Sequence, residues 1–142
     1  MIRSVIVLAG LAVGLCAVTA QANPIEERQQ AMKAVGAATR EGAAIAKGEA
    51  AFDAAKAQAV FKTYADAAKK LPALFPDNSK TGETTAGPKI WEDQGGFKAA
   101  LAKFEADATA GAGVTDLAGF RTAFGAATKN CGACHEAYRI KK

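Results

Sequence analysis

Apolar positions beyond the first 22 residues recur at the three-and-four spacing of helices, with no β-branched runs, and glycine and proline gather in a few places. The first segment has a strong start: Asn23 as N-cap, Pro24 at the first helical position, and Glu26 and Glu27 in the positive end of the helix dipole. It is predicted to run to about Lys47 and stop at Gly48, with Ile25, Met32, Val35, Thr39 and Ala46 along its apolar side. A second helix starts near Asp53, carries Val60, Phe61, Tyr64, Ala68 and Leu71, and is interrupted by Pro72 and Pro76. Asp77 to Gly87 reads as a surface loop. Pro88 opens a third helical region containing Ile90 and Trp91, broken or bent at Gly95-Gly96, after which Phe97, Leu101, Phe104 and Ala108 repeat at helical spacing. Thr115 or Asp116 caps the last helix, whose seam is Leu117, Phe120, Phe124, Ala127, Cys131, Cys134 and Tyr138. Four amphipathic helices with mostly short connections predict an all-α, up-down-up-down four-helix bundle.

The first 22 residues differ in kind. Arg3 makes a short positive region, Val5 to Val18 is almost wholly apolar or glycine, and Ala20-Gln21-Ala22 has the small-x-small form of a cleavage site. Residues 1–22 are therefore expected to be a cleaved signal peptide and 23–142 a single bundle domain, exported to the periplasm in a two-membrane cell. The apolar run is shorter than the roughly 18 residues a spanning helix needs, so no stable membrane insertion is expected. The formal net charge of +4 loses only Arg3 with the leader. A mildly basic chain with no basic run before its last few residues does not call for nucleic acid or a membrane surface.

The chemistry is concentrated in Cys131-Gly132-Ala133-Cys134-His135. Cys-x-x-Cys-His is the attachment pattern for haem c: each thiol adds to a vinyl group and the imidazole binds iron. On a helix the two cysteines stand three apart and His135 four from Cys131, so all three project from one face toward one flat macrocycle. A thioredoxin-like motif would follow a strand, and none is predicted. A closed zinc site needs about four protein ligands, and the only other cysteine, Cys16, leaves with the leader.

Iron has a second axial position. The chain has no other histidine, and Met32 is its only methionine after Met1, so the usual ligands reduce to Met32 or an open site. In an up-down-up-down bundle the start of the first helix lies beside the end of the last, which brings Met32 to a depth similar to that of His135. Arg28, one turn before Met32, shares its face and is a candidate partner for a haem propionate; the alternative is a solvated arginine paired with a nearby acid. Arg139, Lys141 and Lys142 form a basic terminus suited to an acidic redox partner.

With these residues in place the chain resembles the cytochrome c′ family, most closely its low-spin cytochrome c-556 type. The matching features are Arg28 and Met32, Ala44-Ile45-Ala46-Lys47-Gly48-Glu49, Leu71-Pro72-Ala73-Leu74-Phe75-Pro76, Pro88-Lys89-Ile90-Trp91, and the Cys131 to His135 motif followed by Tyr138-Arg139. The resemblance implies a four-helix bundle with one covalent haem c at one end, a homodimer in many members, and methionine at the Met32 position as the sixth ligand in low-spin members. High-spin members usually carry a bulky apolar or aromatic residue there that blocks the distal side, and some keep a methionine without ligating iron. The expected function is an electron carrier serving redox partner proteins, with no substrate turned over; the rival is a five-coordinate gas-binding protein.

Overall fold

The computed structural model describes residues 23–141; the expected signal peptide at 1–22 and the terminal Lys142 lie outside them. Five helices follow in order: α1 (Pro24–Lys47), α2 (Ala54–Lys70), α3 (Lys89–Glu92), α4 (Gln94–Gly111) and α5 (Leu117–Tyr138). Their limits are set by local chemistry. Asn23 Oδ1 accepts from the Ile25 N–H at the head of α1, and Gly48, with φ 80°, closes its far end in the left-handed conformation that glycine adopts without strain. Asp53 and Asp116 cap α2 and α5 by accepting from the N–H groups of Lys56 and Gly119. After Lys70 the chain tightens into a 3₁₀ turn, Leu71–Leu74, because Pro72 supplies no N–H to continue an α-helix.

The four long helices form the bundle. α1 packs on α2, α2 on α4 and α4 on α5, whereas α1 and α5 touch much less. That ring of neighbours is the up-down-up-down order. The main core joins Val35, Ala38 and Ile45 of α1 to Val60, Phe61 and Tyr64 of α2, Phe104 of α4, and Phe120 and Phe124 of α5. A second, smaller core of Leu71, Ile90, Phe97, Leu101 and Tyr138 fills the end where α1 begins and α5 finishes.

Three expectations are corrected. The buried ridge of α1 is Arg28, Val35, Ala38, Gly42 and Ile45, with Met32 and Thr39 half-buried at its flank. The helix is turned because Gly42 lets the Phe124 ring lie against its backbone, and a Cβ there would collide with that ring. The third helical region breaks at Asp93 rather than at Gly95-Gly96, since Asp93 leaves helical geometry to cap α4 through the Gly96 N–H. The stretch from Asp77 to Gly87 is not a free surface loop: Ser79 and Gly87 are buried, and the segment is bonded to both α1 and the end of α5.

Two glycines separate packing from propensity. The end of α4 lies on the fully buried Phe61 ring at Gly111, so Gly111→Ala forces that ring to move and is expected to lower stability by about 1–3 kcal/mol. Gly125, inside α5 with open space at its Cβ, carries only glycine's conformational entropy, so Gly125→Ala is expected to raise stability by roughly 0.5–1 kcal/mol. Denaturant midpoints of the two variants check the signs.

Candidate functional site

Because α1 and α5 are not closely packed, a cavity of about 920 Å³ opens between them at the end occupied by the smaller core. α5 contributes Cys131, Cys134 and His135; α1 contributes Arg28, Met32, Val35, Gly36 and Thr39. Leu71, Phe97, Leu101 and Phe104 form its apolar floor. All five residues singled out from the sequence therefore reach one cavity, as the helix spacing of each set and the antiparallel run of α1 and α5 require.

Both thiols are free and half-buried. Burial pushes each of them above the ordinary cysteine range, so they stand as neutral thiols rather than as reactive thiolates. Desolvation and the neighbouring Arg139 cation hold His135 below the ordinary histidine range, which favours the neutral, ligating imidazole. Met32 touches both cores and lines the cavity on the wall supplied by α1, with His135 on the wall supplied by α5. Gly36, one turn beyond Met32, leaves that wall open: the nearest side-chain atom to a Cβ there is Arg40 Nη1 at 3.8 Å. The donor set fits a flat, covalently held macrocycle: two thiols and one imidazole on one helix face, a thioether opposite, and apolar walls. Among the described residues no cluster of three or more histidine, cysteine or acidic side chains could hold a metal ion by itself.

Arg28 is neither solvated nor paired with an acid. Only 5% exposed, its guanidinium gives four hydrogen bonds: to the Leu74 carbonyl (3.1 Å), Ser79 Oγ (3.0 Å), the Ser79 carbonyl (3.0 Å) and Thr84 Oγ1 (2.8 Å). It also lies 4.8 Å from the centre of the Phe75 ring. Arg28 thereby ties residues 74–84 across the cavity end of α1. This strap runs on to Gly87 and is there bonded to α5's end: Gly87 N–H donates to the Tyr138 carbonyl, Ile140 N–H to the Thr85 carbonyl, and Arg139 Nε to Thr85 Oγ1. No sequence pattern marks this strap, because its partners lie some fifty residues away in either direction. The loop's Ser and Thr residues are its only sign.

Two further residues behind the cavity carry no signal of their role in the sequence. The hydroxyl of fully buried Tyr64 is 2.8 Å from Thr39 Oγ1, which donates to the Val35 carbonyl, so the phenol supplies the proton in that contact. Asn130, just before Cys131, donates to Asp107 Oδ2 at 2.7 Å and fixes the start of the motif against α4.

The comparisons with known proteins agree with this geometry. Residues 23–139 match the family model described as Cytochrome C′. A cytochrome c′ from Rhodopseudomonas palustris is 46% identical over 95% of this chain and 94% of its own, and a solved cytochrome c′ structure from that organism superposes with a TM-score of 0.81 over 86% of this chain and 99% of that one. A cytochrome c-556 from Agrobacterium fabrum is 43% identical over 85% of this chain and 84% of its own. The structure of a mutant cytochrome c prime from Alcaligenes xylosoxidans, complexed with nitric oxide, is 30% identical, with a TM-score of 0.73 over 82% of this chain and 94% of that one.

Two outcomes follow from the polar residues around the cavity. Arg28→Met strips hydrogen bonds of roughly 1.5–3 kcal/mol each and relieves part of the guanidinium's desolvation, so a net loss of about 2–4 kcal/mol is expected. Hydrogen exchange should show the amides of Gly87 and Ile140 losing protection ahead of those in α2 and α4. Tyr64 behaves differently, since burial pushes its phenol up to about 12 from the ordinary 10. Its folded value is raised, so its stabilisation is complete below pH 10 and is lost as pH rises from about 10 to about 12. Alkaline unfolding of Tyr64→Phe should lose that slope, at a cost of about 0.5–1.5 kcal/mol for the missing hydrogen bond.

Proposed function

The chain belongs to the cytochrome c′ family, whose members carry one covalent haem c, and from that premise we propose that it is an exported electron carrier with His135 and Met32 as axial ligands. The bound haem supplies an iron that gains and loses one electron between its ferrous and ferric states. Every other part of the task falls to the protein. Cys131 and Cys134 would hold the ring through two thioether links, and His135 would supply a ligand to the iron from the same helix. Met32, on the facing cavity wall, would supply the other ligand, and a site saturated in both oxidation states would need little rearrangement on electron transfer. Arg28 positions the strap that keeps α1 at its distance from α5, and as a cation beside the cavity it is also the candidate partner of a propionate.

The observation that carries this reading is Met32 itself. It is the only methionine beyond Met1, the chain's sole histidine is His135, and both side chains line the same cavity from opposite helices. The leader at 1–22 directs the carrier out of the cytoplasm, and the described helices include none long and apolar enough to cross a membrane. Arg139, exposed and lining the cavity, and Lys141, exposed two residues further on, suit an acidic redox partner. A homodimer of such subunits is compatible with this arrangement.

One observation favours a second reading. Met32 packs on apolar residues of both cores, as a side chain that merely fills the distal space would, and a relative's structure carries nitric oxide. An open iron with Met32 as a steric filter would make this chain a gas-binding protein. Visible spectra of the haem protein, oxidised and dithionite-reduced, with and without carbon monoxide, separate the two. Sharp low-spin bands barely disturbed by carbon monoxide are expected, with Met32→Ala turning the protein high-spin and gas-reactive. Broad high-spin bands that shift promptly with carbon monoxide in the unaltered protein would overturn the ligation of Met32.

A further inference from the structure

One buried titratable group on the cavity wall has no task in electron transfer as described: Tyr138. It is 9% exposed, lines the cavity one helical turn beyond Cys134, and belongs to the small core against which Cys134 packs. Its hydroxyl donates to Asp93 Oδ2 at 3.0 Å. Asp93 is fixed in place by its cap of α4, in which its other oxygen accepts from the Gly96 N–H at 2.9 Å, and a Cβ at residue 96 would strike both Asp93 Oδ2 and the Tyr138 hydroxyl. A phenol paired with an ionised carboxylate has what one-electron oxidation demands, a base ready to take the proton as the electron leaves. The other tyrosine lacks it: Tyr64 bonds only to the Thr39 hydroxyl, which leads to a neutral carbonyl.

We propose that Tyr138 is a redox-active tyrosine: whenever the distal face is open and hydrogen peroxide oxidises the haem centre, Tyr138 returns an electron to it while its phenolic proton passes to Asp93. The balance is simple. Hydrogen peroxide takes two electrons from the haem centre and two protons from solvent and leaves as two waters. Tyr138 then gives back one electron, its O–H bond breaks, and Asp93 Oδ2 holds the proton, leaving a neutral tyrosyl radical and one oxidising equivalent on the haem. Surrounding charge keeps the radical there. The rings run on from Tyr138 to Phe97 (5.3 Å), Phe75 (4.8 Å) and Trp91 (6.1 Å), but Arg28 sits over Phe75 and Lys80 over Trp91, at 4.8 and 5.9 Å. Those cations oppose a positive hole on either ring, and the indole N–H of Trp91 faces only the Phe75 carbonyl. Lys89, 5.6 Å over the Tyr138 ring, likewise disfavours a protonated radical cation and favours the neutral radical.

The proposal rests on the haem attachment read above, not on the distal ligand, so its test uses haem-loaded Met32→Ala protein, in which peroxide has free access to iron. The protein is mixed with hydrogen peroxide, freeze-quenched and examined by electron paramagnetic resonance. A tyrosyl signal is expected, absent from the Met32→Ala/Tyr138→Phe protein and retained with Tyr64→Phe or Trp91→Phe in place of Tyr138→Phe. Asp93→Asn, which keeps a capping oxygen for α4, should slow formation of the signal by roughly 100-fold, the low end of what a positioned proton acceptor contributes. A signal that survives Tyr138→Phe, one that disappears with Tyr64→Phe, an Asp93→Asn rate equal to that of the parent, or haem bleaching with no protein radical would each overturn it. Failure of the haem reading would be seen earlier and separately, as protein without a covalent haem spectrum before peroxide is added.

Discussion

A buried guanidinium without a carboxylate partner organises the working end of this molecule. Taking Arg28 out of water costs several kcal/mol, and no acid offsets it; four hydrogen bonds to neutral oxygens do. Those oxygens belong to Leu74, Ser79 and Thr84, so the same bonds that satisfy the charge define the path of the strap. The strap then pairs with residues 138–140, three to five positions beyond His135. One side chain of α1 is thereby connected through a loop to the end of α5, although the two helices scarcely meet. The cavity between them is the gap that this arrangement maintains.

Packing divides the labour along the bundle. Away from the cavity, Phe61, Tyr64, Phe120 and Phe124 interlock as edge-on and stacked rings, and small residues such as Gly42 and Gly111 let those rings touch backbone. That region resembles an ordinary bundle core. At the cavity end, the rings of Phe75, Trp91, Phe97 and Tyr138 form a second ladder on the far side of the gap, with lysine or arginine over three of them. The first core is built from protein side chains alone. The second shapes one wall of the space the haem requires.

The helices themselves were legible from caps and periodicity. Asn23, Gly48, Asp53 and Asp116 stand where their chemistry predicts, because a cap is a bond between residues two to four positions apart. The attachment motif was equally legible: the geometry of Cys131, Cys134 and His135 is contained in one helical turn. Met32 could be placed beside His135 only through topology, by the antiparallel pairing of the first and last helices. Helical spacing marks Arg28 as a neighbour of Met32 but is silent on what holds it, since its bonded partners lie 46 to 56 residues away.

What the sequence by itself determined is therefore what short-range chemistry determines: four amphipathic helices, the caps of the first, second and last, and a helix face that presents two thiols and an imidazole. Each depends on residues within a few positions of one another, where the backbone geometry is known in advance. The tertiary structure decided the rotation of α1, the burial of Arg28, the strap across the cavity and the pairing of Tyr138 with Asp93. Those depend on which side chain fills space left by another helix, as Phe124 does over Gly42, and on where a buried donor finds its acceptor. Neither question has an answer until the helices have packed.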